Sequence, residues 1–103
     1  MNNQFSLEIL FLSNYRYILY SSNEGDLFLT LTREQGFGVY SYTIKVEISH
    51  VKNIEQTEKE IEKIRSEYIE NPDNFSKQHT EIVLESVDTK KALDEWIQKT
   101  SKH

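Results

Sequence analysis

The sequence has no cysteine, one proline and three glycines among its 103 residues. Without cysteine there are no disulfides, no thiolate metal sites and no cysteine nucleophile. So little glycine and proline argues against a fibrous or linker-rich chain. No apolar run approaches the length of about 18 residues that a spanning helix needs, so no membrane segment is expected. The start, Met1-Asn2-Asn3-Gln4, places no basic residue ahead of Phe5–Leu12, and Ser6 and Glu8 break that run. It reads as no signal peptide, and with the missing cysteines it points to the cytoplasm.

Recognisable chemistry is equally sparse. His50, His79 and His103 match no paired-ligand spacing, so no metal site is expected. No Gly-x-Ser-x-Gly elbow and no Gly-Lys-Ser/Thr loop occurs. Gly36-Phe37-Gly38 lacks the third glycine and the following helix of a dinucleotide site, and reads as a hairpin turn. The many carboxylates fall mostly at helix or turn positions; Glu8, inside an apolar strand, is expected to be solvated or paired. No catalytic residue and no cofactor is assigned.

What is present is a folded composition: 37% hydrophobic and 28% charged residues, with six Tyr, five Phe and one Trp. The formal net charge is −5. Such a charge serves solubility first and attraction of a basic partner second. It disfavours direct nucleic-acid binding. The halves differ in character: residues 1–50 carry three basic and five acidic groups, residues 51–103 nine and twelve. The first half is aromatic and strand-like, the second charged and helical, within one domain spanning 1–103.

The strands follow from alternation and turn residues. Phe5–Leu12, Tyr15–Ser21 and Asp26–Thr32 are the first three. Tyr40, Tyr42, Ile44, Val46 and Ile48 line one face of a fourth, and the short links predict an antiparallel meander. Asn53 and Gln56 then form a capping box for a helix ending near Glu70, with Ile54, Ile61, Ile64 and Tyr68 as its apolar stripe. Asn71-Pro72-Asp73-Asn74 reads either as a loop or as a new helix start. Glu81–Val87 reads as a short fifth strand. Asp88 or Thr89 should cap a C-terminal helix with Ala92, Leu93, Trp96 and Ile97 inward, and Ser101-Lys102-His103 should fray. The expected fold is α+β: a four-stranded antiparallel meander, a helix, a short fifth strand and a C-terminal helix, the helices on one sheet face.

The composition favours a protein-binding module that covers a partner's surface, of inhibitor, immunity or antitoxin type. Phe37 at a turn tip is a candidate anchor, with Tyr17 and Phe28 on the sheet and Glu58 and Glu62 on the helix. The expected partner is a protein, a basic one being allowed by the acidity, and a homodimer is allowed. A small enzyme or ligand binder is the alternative, with a pocket between sheet and helices near Tyr42, His79 and Trp96. A structural or assembly subunit is a third reading.

Overall fold

A computed structural model describes residues 4–101, with the Gln35 side chain left aside. The readings made on Met1–Asn3 and on Lys102 and His103 therefore lie outside the described residues. Strands β1 (Leu7–Ser13), β2 (Tyr17–Ser22), β3 (Leu27–Gln35) and β4 (Gly38–Val46) form one antiparallel sheet in sequential order. Helices α1 (Ile54–Glu70), α2 (Pro72–Gln78) and α3 (Ser86–Thr100) follow. The result is a small, compact α+β domain.

Adjacent strand residues point to opposite faces, and both faces of this sheet are covered. Tyr17, Leu19, Leu29, Leu31 and Ile44 meet Ile61 and Tyr68 of α1 and Phe75 of α2. Their neighbours Tyr20 and Phe28, with Leu7 and Ile9, meet Ala92 of α3. The expected packing on one face thus describes α1 and α2, while α3 lies across the other face. A strand buried on both sides has no polar face, which is why Tyr17-Ile18-Leu19-Tyr20 is an unbroken apolar run. In β1 the register skips Leu10 between Ile9↔Tyr20 and Phe11↔Leu19. This bulge moves Phe11 to the α1 face and Leu12 to the α3 face, so Ile9–Leu12 can be apolar throughout.

The fifth strand does not exist among the described residues. Residues 79–85 belong to no helix or strand; their two ends, His79 and Glu85, have extended backbone, but the segment carries no ladder. The Tyr42 hydroxyl donates to the His79 carbonyl at 2.9 Å, and the Ile82 N–H donates to the Thr43 carbonyl at 2.7 Å. The segment crosses the β4 edge at that point and delivers Ile82 and Leu84 to the α3 side of the sheet. Its alternating pattern reports one covered side, and a strand requires a partner ladder as well. The Asn71-Pro72 punctuation is a helix start: Asn71 Oδ1 accepts from the Asn74 N–H, and Pro72 occupies the first turn.

Asn53 caps α1 as its spacing predicts, its Oδ1 accepting from the Gln56 N–H at 3.1 Å. The expected stripe holds for Ile61 and Tyr68, which are buried, and fails for Ile54, which faces solvent. The fully buried Thr57 takes the inward place one turn below Ile61, its hydroxyl donating to the His50 carbonyl at 2.9 Å. Helix α3 begins at Ser86, with Glu85 as its N-cap, ahead of the expected Asp88 or Thr89. Ala92 is buried as expected, but Leu93 and Ile97 are exposed.

Candidate functional site

Antiparallel order places the β1–β2 and β3–β4 turns at the same end of the sheet. At this end the sheet is uneven. Strand β2 pairs with β3 as far as Tyr17↔Leu31, and the Thr32 N–H makes one more bond to the Arg16 carbonyl. Beyond it β3 and β4 continue alone through Arg33↔Tyr40, Glu34↔Val39 and Gln35↔Gly38. Those pairs project the hairpin by about 10 Å, at about 3.4 Å per residue.

The tip is a two-residue turn. Gly36 has φ +62° and no other residue from 33 to 40 has positive φ, so the turn is of type II′, with glycine at its first central position. The second central position holds Phe37, which is fully exposed at 112%. Behind it Val39 (61%) and Tyr40 (51%) are also exposed. On the neighbouring turn Tyr15 is 81% exposed, with φ +65°. A side chain in that left-handed region is strained, and glycine or asparagine would fit more easily.

All three arginines of the chain stand at this end, while the first lysine in the sequence is Lys45. The Arg33 guanidinium lies 5.4 Å from the Tyr40 ring centroid and 5.5 Å from that of Tyr68. Its Nε donates to the Tyr68 hydroxyl at 3.2 Å. Arg65 donates to the carbonyls of Arg16 (3.3 Å) and Thr32 (3.4 Å), closing the end of the β2–β3 ladder. Arg16 pairs with Glu62. The α1 helix thereby braces the base of the hairpin and leaves its tip bare.

The other sequence candidates are distributed unevenly. Tyr17 is buried under α1, where burial first, then the Glu58 and Glu62 carboxylates, raise its pKa against the opposing Arg16 charge. Tyr17, Glu58 and Glu62 thus come together beside the β1–β2 turn. Phe28 is buried on the opposite face, in edge-on contact with Phe5. Phe37 remains as the exposed anchor.

Tyr42 and His79 meet through the hydrogen bond at the crossing, within a cluster that also holds Tyr68 and Phe75. Trp96 belongs to the other cluster, so the three do not form one pocket. An open cleft of about 760 Å³ lies instead between α3 and the start of β1, lined in part by Phe5, Glu8, Ser22, Lys91 and Glu95. Glu8 itself pairs with Lys99 at 2.9 Å, as a strand carboxylate in water should. Among the described residues no group of three or more His, Asp or Glu is placed to hold a metal ion. No described helix is long and apolar enough to cross a membrane.

The sequence pattern singles out Phe37, places Tyr15 and Tyr40 in strands, and does not single out Val39. The signal for Tyr15 was its place after Asn14 in a turn. For Val39 and Tyr40 it was their nearness to the Gly36 turn, beyond the reach of a strand ending at Tyr17. No family model, curated protein or solved structure matches the chain.

Proposed function

We propose that this protein is a binding module that presents the β3–β4 hairpin end to another protein and acts by covering that protein's surface, as an inhibitor or immunity-type protein does. The observation that carries the reading is the fully exposed Phe37 at the tip of a braced, projecting hairpin. Such a residue costs solubility and adds nothing to the fold, while a rigid exposed aromatic is a good anchor for a partner's pocket. The composition around it supports the reading. Aromatic residues and arginine are enriched, and lysine depleted, in interface cores. Arg16, Arg33 and Arg65 bring positive charge to this end, so the partner need not be basic.

A photo-crosslinking side chain placed at Phe37, and for comparison at Lys77 on α2, tests the proposal in native lysate. A discrete protein adduct at Phe37 that is absent at Lys77 is expected, together with inhibition of that protein by the purified chain. Equal adducts at both positions, or none at Phe37, would refute it.

A further inference from the structure

We infer that the outer edge of β4 above Thr43 docks an extended segment of the partner protein, which pairs with it by backbone hydrogen bonds; this rests on the hairpin reading proposed above and specifies how the hairpin is engaged. The ladder itself fixes which groups are free. The Thr43 carbonyl accepts from the Ile82 N–H, so it points away from β3. By alternation, the N–H and C=O groups of Ser41 and Val39 also point away from β3, while those of Tyr40 and Tyr42 pair with it. Among the described residues nothing bonds to the outward groups of Val39 and Ser41.

The chain's own segment already uses this edge, and stops short of its upper part. It crosses at Thr43 and leaves for the α3 face, so a strand from another chain would continue the line that Ile82 begins. A second copy of this chain fits less simply. Pairing two β4 strands about Ser41 would set Val39 of one against Thr43 of the other, where the Ile82 N–H already bonds. Pairing about Tyr40, which matches Val39 with Ser41, would show as concentration-dependent self-association of the free chain in sedimentation and would overturn the partner segment. The fitting occupant is a separate extended segment whose alternate residues, β-branched or aromatic, lie beside Val39 on one face and Tyr40 on the other. Strand addition draws affinity from the backbone and specificity from alternate side chains.

The probe is a displayed library of short linear random peptides selected on the full chain. Ser41→Pro removes the outward N–H and spares the ladder to β3, and proline is tolerated at such edge positions. Ser41→Ala is its control. Selected peptides should bind wild type and Ser41→Ala alike and Ser41→Pro about tenfold or more weakly, since a backbone bond and the edge approach are both lost. On the wild-type chain they should slow amide exchange at Val39 and Ser41, a readout that does not depend on the proline variant folding. Equal binding to Ser41→Pro, protection at other amides only, or no enrichment over background would overturn strand addition. A Phe37 adduct whose protein binds Ser41→Pro undiminished would leave the hairpin reading standing and remove this one. Peptides that pair at β4 without any Phe37 adduct would do the reverse.

Discussion

The two edges of the sheet are protected in different ways. At β1 a bulge at Leu10 interrupts the regular spacing, and Glu8 sits on the strand tied to Lys99 of α3. Bulges and edge charges are the usual defences against unwanted strand pairing. At β4 the lower edge is crossed by the chain itself at Thr43, and the upper edge has no bulge and no charged residue from Gly38 to Thr43. Protection stops where the exposed aromatics begin. The difference separates an edge guarded against contact from one that is open beside Phe37.

The largest effect should come from testing the direction of the β4 ladder. Ile44 is buried and its N–H faces β3. Ile44→Pro should destabilise by about 3–6 kcal/mol, from lost core volume and a lost buried hydrogen bond, whereas Ser41→Pro should cost less than about 1 kcal/mol. Urea unfolding of both variants checks the contrast; equal losses would mean that the outward assignment is wrong.

The guard on the lower β4 edge rests on the Tyr42 hydroxyl. Tyr42→Phe should cost about 1 kcal/mol and speed amide exchange at Ile82, leaving the β1–β2 ladder unchanged. At the other turn, Tyr15→Gly should stabilise the fold by up to about 1 kcal/mol by relieving the left-handed strain, while weakening partner binding. Stabilisation with binding intact would place Tyr15 outside the contact surface.

Alkaline titration examines the covered part of the sheet. Burial raises the pKa of Tyr17 and Tyr20 above the ordinary 10.0. Their contribution to stability is therefore full below pH 10 and is lost as pH rises through the higher folded-state values. The urea midpoint should fall above about pH 10, and Tyr17→Phe should flatten part of that fall. The smallest change is expected at the β1 guard. The hydrogen bond and charge of Glu8 raise the Lys99 pKa, so Glu8→Val should return it toward 10.5 by NMR titration. It should also produce concentration-dependent self-association by sedimentation, which wild type should lack.

Much of the meander was legible because turn residues and alternation agree, as at Ser22–Gly25 and Gly36. Helix α1 announced itself through Asn53 and Gln56. The fifth strand was misread because Ile82 and Leu84 alternate like a half-buried strand, and only the three-dimensional path shows them crossing an edge instead of pairing along it. Cover on both faces was written in the continuous apolar runs of β1 and β2, which an antiparallel meander with one wet face would not have. At the candidate site Phe37 was visible from its flanking glycines. Tyr17 and Phe28 were not separable from it in sequence, because their burial depends on helices that arrive far later in the chain. The exposure of Val39 and Tyr40 depends on β3 and β4 outrunning β2, a register fact that no single strand encodes.

Residue-resolved amide exchange along β4 tests the open edge most directly. In the free protein Val39 and Ser41 should exchange rapidly while Tyr40 and Tyr42 are slow, and binding of the protein recovered through Phe37 should slow the first pair. Slow exchange at Val39 and Ser41 in the free protein, or fast exchange that binding leaves unchanged, would contradict an edge held open for a partner strand.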